Sequence, residues 1–414
     1  MSALSEAVAL LRSTVAVRER AGLLLARARE GGSAEFIVDD TRLDSAAAEV
    51  AAVTRARYPS LEIPYHSRWR HFETGAVDRR RALDQRLGAA DAPGRARAQI
   101  DLAVVSVLLD AGAGPAWRYL EPGTGLALTR SEGLGVASFH AFAAGLFSSH
   151  PSQPLQVDSA GLRRLDATAL ARAFQVDAGN PLVGLDGRIA LLRRLGDALA
   201  AAPEVYGVDG RPGGLFDHAL RRRALTTGDR LGALQAHDLL VVLLDTLASV
   251  WTAGNVLDGQ PLGDCWRHDA VPGLGASAGW VPFHKLSQWL CYSLLEPFAW
   301  AGHPVAGLNA LTGLPEYRNG GLLIDSGVLQ PRDRQFAARP RAVGEAFVVE
   351  WRALTVALLD ELAPRVRGAL GVAPEQMPLA CVLEGGTWAA GRALAQRLRA
   401  GLPPVTVVSD GTVF

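Results

Sequence analysis

Val-Val-Glu-Trp-Arg-Ala-Leu-Thr-Val-Ala-Leu-Leu, residues 348–359, reads as a strongly apolar helix that carries Glu350 and Arg352 into largely buried surroundings. Buried charges must be paired, so these two are expected to support a site from behind rather than to meet a ligand. Outward from this stretch, most segments show helical rather than strand spacing and are rich in Ala, Leu and Arg, which favour helices. The spacing predicts helices near 5–29, 43–57, 98–111, 159–173, 186–201, 230–252, 283–296, 345–368 and 387–400. The class is therefore mainly α, and the 414 residues read as a single composite helical unit. The Gly/Pro-rich stretch 203–216 is a candidate seam between lobes. One hairpin is expected where Ala-Trp-Arg-Tyr-Leu (116–120) and Leu-Ala-Leu-Thr-Arg (126–130) flank Pro-Gly-Thr-Gly, a turn able to supply positive φ. Ser131 reads as a helix cap after it, and 405–408 as a short C-terminal strand.

Composition excludes several functions. Basic and acidic residues balance at 42 each, so no global field attracts polymeric nucleic acid or an anionic membrane. A hydrophobic content of 49% suffices for a substantial core. Cys265, Cys291 and Cys381 are widely spaced and fit a reducing compartment as small core residues. No apolar run approaches the ~20 residues needed to span a bilayer, and the start carries no basic leader pattern. The expectation is a cytoplasmic protein.

Lys285 is the only lysine among 42 basic residues. Where a solvated positive charge is enough this chain uses arginine, so the lone lysine points to a compact ammonium with a specific task. It lies in Val-Pro-Phe-His-Lys-Leu-Ser-Gln-Trp-Leu (281–290) with His284, Ser287 and Gln288 around it. In a helix opening at Pro282, His284, Gln288 and Cys291 share one face and Lys285, Trp289 and Tyr292 the next. Glu296 before Pro297 reads as the stop. The alternative is a core helix whose aromatics simply pack.

Glu316 and Arg318 lie in Leu-Thr-Gly-Leu-Pro-Glu-Tyr-Arg-Asn-Gly-Gly (311–321), a polar turn between apolar flanks. A carboxylate there can have its pKa moved by burial or a guanidinium, as a general base requires; an internal Glu–Arg pair is the alternative. Leu-Glu-Gly-Gly-Thr-Trp (383–388) reads as a glycine turn with Thr387 capping the last helix, so that free N–H groups at Gly385 and Gly386 offer an anion site. Tyr-His-Ser-Arg-Trp-Arg-His-Phe-Glu (65–73) offers Arg68 and Arg70 either as anion forks or as groups that stitch helices together, with His66 and His71 as structural hydrogen-bonders. Asp410 reads as an Asx-turn. No metal-hydrolase motif, Walker loop or dinucleotide fingerprint occurs, so no metal or cofactor is called for.

These strings, together with Glu-Trp-Arg-Ala-Leu-Thr, resemble the URC/urg uracil-catabolism family over essentially the whole chain. The resemblance implies a part in a route where uracil nitrogen leaves as urea through a ribosylated intermediate. A fainter likeness, carried by Phe-His-Lys-Leu-Ser-Gln-Trp-Leu, Glu-Tyr-Arg at Glu316 and Glu-Trp-Arg-Ala at Glu350, is to the queuosine-salvage ribonucleotide hydrolases. It implies a DNA-glycosylase-like helical fold, Lys285 on a 5′-phosphate and Glu316 near the anomeric carbon, where that family has aspartate. The combined expectation is an N-ribosyl hydrolase that cleaves a phosphorylated ribosylurea-like substrate to urea and a ribose phosphate. Glu316 would stabilise the oxocarbenium or direct water, His284 would protonate the departing nitrogen, and Lys285 with Arg318 would hold phosphate. Two other readings stand beside it: a Schiff-base lyase acting through Lys285, and a non-catalytic partner of other uracil-pathway enzymes.

Overall fold

The computed structural model describes residues 3–227, 233–251, 253–272 and 275–408. Among these the fold is mainly α, with strands only in two-stranded pairs. The chain divides into two compact units. The described residues of Met1–His66, Asn255–Gln288 and Gly307–Ser409 form the first, and those of Ser67–Gly254 and Trp289–Ala306 the second. The stretch 203–216 lies inside the second unit.

The first unit is organised around the helix Ala346–Leu370, where every residue from Phe347 to Val356 is buried. A helix hydrophobic all round must be surrounded. Helices Thr14–Arg29, Leu43–Arg57 and Tyr317–Asp325 pack against it. One core cluster joins Val17, Ala21 and Leu24 to Val349, Ala353 and Val356, with Val281 and Phe283 between. Strand Phe36–Val38 pairs antiparallel with Leu329–Pro331, Cys265–Arg267 antiparallel with Trp280–Pro282, and Arg341–Ala342 parallel with Val407–Val408. The helices Tyr317–Asp325 and Trp388–Arg399 cross closely because Gly391 lacks a side chain; a Cβ there would collide with the Arg318 carbonyl oxygen.

The second unit is built on the helix Ala92–Leu108, buried continuously from Ala98. Around it pack Arg130–Ala143, Leu185–Ala201 and Gly214–Thr227. The expected hairpin forms as Tyr119–Leu120 with Ala127–Leu128.

Several boundaries differ from the sequence expectation, each for a local reason. The predicted 5–29 helix is two, Ala3–Leu11 and Thr14–Arg29, because Ser13 takes an extended backbone and its hydroxyl accepts the Ala16 N–H. Likewise 159–173 splits into Ser159–Arg163 and Ala167–Ala173, capped by Asp158 and Asp166. Glu296 does not stop its helix: Lys285–Trp300 runs through Pro297. The Ser293 carbonyl that Pro297 cannot reach accepts the Trp69 indole N–H at 2.9 Å instead, so the lost backbone bond is replaced. The helix after the hairpin starts at Arg130 with Thr129 rather than Ser131 before it. Asp410, and residues 230–232 and 252 of the predicted 230–252 helix, lie outside the described residues.

Candidate functional site

Asp264 and Arg352 build the frame of the candidate site in the first unit. The antiparallel ladder of 265–267 with 280–282 brings Asp264 beside the entry to the Lys285–Trp300 helix, and its carbonyl accepts the Phe283 N–H at 2.9 Å. Its carboxylate accepts the Lys285 backbone N–H at 3.0 Å and the Trp266 indole at 2.8 Å. Arg352 reaches across from the central helix and donates to both carboxylate oxygens, each at 2.7 Å. Burial would push the Asp264 carboxyl up, but Arg352 and these N–H donors outweigh it and hold it at about 2. The Nε–H of the same guanidinium donates to the Pro315 carbonyl at 3.3 Å. One arginine therefore ties the starts of two helices, Lys285–Trp300 and Tyr317–Asp325. Gln288 stitches them again: its amide donates to the Thr312 hydroxyl at 2.6 Å and accepts the Thr312 N–H at 2.8 Å.

Glu316 is the N-cap of the second of these helices. Its two oxygens accept the N–H groups of Arg318 at 2.7 Å and Asn319 at 2.6 Å. It is only 7% exposed, and burial raises its pKa above the ordinary carboxylate value. Those N–H groups and the charges of Lys285 and His66 pull it partly back. The ammonium and the carboxylate singled out from the sequence thus act on each other, with Lys285 half-buried beside a buried Glu316.

The other expected residues fall elsewhere. His284 precedes the helix in a left-handed conformation (φ 50°), and its Nε2 lies 2.7 Å from the Leu11 carbonyl. Against that acceptor Nε2 must carry the proton, and burial lowers the ring's pKa, so this imidazole is a neutral fastener rather than an acid. Arg318 turns from Glu316; its guanidinium donates to the Gly401 carbonyl at 3.2 Å and lies over the Tyr317 ring. Arg68 and Arg70 belong to the second unit and are paired there, Arg68 with Asp110 at 3.0 Å and Arg70 with Glu296 at 2.6 Å. Trp289 and Tyr292 are buried in that unit as well, Trp289 edge-on to His71 and under Arg68. Glu350 accepts from Ser33 and lies 3.3 Å from His268 Nε2, so it and Arg352 are paired within the protein, as expected.

Gly385 and Gly386 do not open a helix, and Thr387 is no cap. Residues Leu383–Thr387 form a π-helical turn that joins Leu379–Val382 to Trp388–Arg399, with Thr387 itself in helical conformation. The missing side chains serve packing: a Cβ on Gly386 would run into the Thr54 hydroxyl on the Leu43–Arg57 helix. That close approach lets Arg57 and Tyr58 reach Glu384 on the π turn, at 2.8 and 3.0 Å. The remaining Glu384 oxygen bonds His66 Nδ1 at 2.9 Å. Burial would raise the Glu384 pKa, yet His66 and Arg57 hold it at about 2. Neither Asp264 nor Glu384 stands out in the sequence, and His66 does so only as a structural group. The one signal nearby was the Gly385–Gly386 pair, which fits a close approach of another backbone.

Among the described residues no group of three His, Cys, Asp or Glu side chains stands as a metal-ligand set, and no helix is long and apolar enough to cross a membrane. Glu316 lines neither of two surface concavities. One, of about 710 Å³, is lined by Ser60–Pro64, Gly371, Val372 and Gln376 in the first unit. The other, of about 480 Å³, is lined by Trp69, Arg70, Glu296 and Trp300 in the second.

The chain is 38% identical to Protein urg3 of Schizosaccharomyces pombe, over 99% of its own length and 100% of that protein's. It is 36% identical to Uracil catabolism protein 4 of Lachancea kluyveri, over 93% of each. A family model described as Protein of unknown function (DUF1688) matches residues 10–414. The chain therefore belongs to the DUF1688 family, the family of these urg and uracil-catabolism proteins.

Proposed function

We propose that this protein works in uracil degradation as an N-ribosyl hydrolase, acting on a phosphorylated ribosylurea-like intermediate and releasing urea and a ribose phosphate. The role in uracil degradation rests on the relatives' names; the reaction rests on one observation, that Arg352 and Asp264 tie the start of the helix carrying Lys285, the chain's only lysine, to the start of the helix capped by the buried Glu316. Cleaving an N-ribosyl bond builds positive charge on the sugar. A fixed carboxylate in a water-poor setting stabilises that charge far better than water does, because it is already oriented. The two N–H bonds from Arg318 and Asn319 fix Glu316 on the rigid end of a helix and bias it toward the ionised form in which it works. A compact ammonium suits a phosphate monoester, and binding energy gained on the phosphate positions the reacting end of the substrate. Arg318, engaged with Gly401, takes no part in this.

The test is calorimetry with ribose 5-phosphate and ribosylurea 5′-phosphate on the intact chain and on Lys285→Met. The substitution should weaken phosphate-ester binding at least 10-fold, about 1.4 kcal/mol. Equal affinity of both proteins for the phosphate esters rejects Lys285 as the phosphate group. Failure of the intact chain to release urea from ribosylurea 5′-phosphate rejects the hydrolase.

A further inference from the structure

We propose that His66 is the proton-transferring residue of this site and that Glu384, carried on the π-helical turn, positions it; the inference deepens the hydrolase reading and rests on it. His66 is buried and doubly anchored to one helix, its backbone N–H on the Ala380 carbonyl at 3.0 Å and its Nδ1 on Glu384 at 2.9 Å. A carboxylate against Nδ1 makes that nitrogen the N–H donor in the neutral ring. Proton exchange with a substrate then runs through Nε2. Glu384 is itself held by Arg57 and Tyr58, so the imidazole plane is fixed by a carboxylate that cannot swing. A carboxylate that holds an imidazole in one tautomer and orientation is the arrangement of the Ser-His-Asp triad.

The fold brings the turn that carries Glu384 against the Tyr317–Asp325 helix that Glu316 caps. The His66 charge is felt at the Glu316 carboxylate. π turns inside α-helices frequently mark functional sites, since the extra residue swings a side chain off the regular face at a cost in stability. Glu384 lies within this π turn.

In the reaction, the C1′–N bond breaks with its electron pair leaving on the urea nitrogen, which takes the proton from His66 Nε2. Water bonds through oxygen to C1′, and its proton goes to the Glu316 carboxylate. Passage of that proton from Glu316 back to His66 restores both groups. The balance is substrate plus water to urea plus ribose 5-phosphate, with no other reactant.

The experiment compares two substrates on the full chain: ribosylurea 5′-phosphate, whose leaving group needs a proton, and 4-nitrophenyl riboside 5′-phosphate, whose leaving group does not. His66→Gln should lose on the order of 10²–10⁴-fold in kcat on the first, with KM little changed, and keep most activity on the second. Glu384→Gln should lose less on the first substrate and displace the pH dependence of kcat. Equal losses on both substrates, or none, overturn the proton-transfer role while leaving the hydrolase standing. An intact chain inert on both removes hydrolase and inference together. Nitrogen-resolved NMR of the imidazole rings, assigned with His66→Gln, is independent of substrate. It should find neutral His66 protonated on Nδ1, and an Nε2-protonated ring overturns the proposal.

Discussion

Replacing Arg352 by methionine tests whether the Asp264–Arg352 pair holds the site together. The guanidinium makes two bonds of 2.7 Å to Asp264 and one of 3.3 Å to the Pro315 carbonyl, and both charged partners are buried. Methionine fills most of the volume, so little of the loss comes from a cavity. What remains is a buried carboxylate supported only by the Lys285 N–H and the Trp266 indole. Breaking a buried pair from one side costs about 3–5 kcal/mol, because the surviving charge stays desolvated. The sign of the pH dependence follows. With Arg352 gone, burial acts on Asp264 without its main counterweight, so its pKa rises in the variant and the carboxylate becomes a liability above that value. The deficit against the intact protein should therefore shrink between pH 7 and pH 5, where protonation removes the unpaired charge. Adding Asp264→Asn should recover ~1–3 kcal/mol, the range found for coupled neighbours. Urea denaturation at both pH values measures all three proteins. A deficit under ~1 kcal/mol, or one that grows as the pH falls, refutes the reasoning.

Glu316→Ala should cost about 1–2 kcal/mol in thermal or chemical unfolding, since it leaves two N–H groups of the Tyr317–Asp325 helix uncapped; a loss of urea release with no loss of stability would mean the cap bonds contribute nothing. Gly391→Ala should destabilise by ~1–3 kcal/mol, because its Cβ would collide with the Arg318 carbonyl oxygen; a neutral melt would show that the two helices part freely. Glu384, held at about 2 against an ordinary 4.5, contributes stability that is complete above 4.5 and drains away as the pH falls toward 2. Glu384→Gln should flatten that acid limb in melts between pH 6 and 3, and an unchanged limb excludes Glu384 as a source of acid lability.

The helical class was legible because apolar residues recur at helical spacing, and Leu43–Arg57 was bounded as predicted since Tyr58 ends its pattern. Two of the missed helices share a physical reason. Tyr317–Asp325 carries Gly320 and Gly321, and Arg130–Ala143 carries Gly133 and Gly135. Glycine lowers helix propensity locally, yet Gly320 is needed where a Cβ would stand 2.7 Å from Trp351. Tertiary close approach overrode propensity, and no single-sequence rule distinguishes such a glycine from a turn. Lys285 and Glu316 were legible as residue types out of place. Asp264 was not, because nothing in Gly-Asp-Cys-Trp-Arg marks an aspartate whose partner lies 88 positions away.

The long-range pairs explain why rare residue types sit where they do. Within the first unit, Arg352 is matched by Asp264, and Glu384 by His66 and Arg57, before Lys285 and Glu316 are considered. Each outer pair fixes backbone as well as charge: Arg352 anchors two helix starts, and Glu384 anchors the segment that ends at His66. Had the frame been built from apolar contacts alone, Glu316 would face burial with no fixed charge nearby and would be held neutral. Against its burial, Glu316 has the N–H bonds of Arg318 and Asn319 together with the charges of Lys285 and His66. Burial still raises the Glu316 pKa above the ordinary carboxylate value, and these groups offset part of that rise. On the proposed hydrolase reading, loss of Asp264 or Glu384 should impair urea release through geometry, raising KM and lowering kcat together, whereas loss of Glu316 should lower kcat alone.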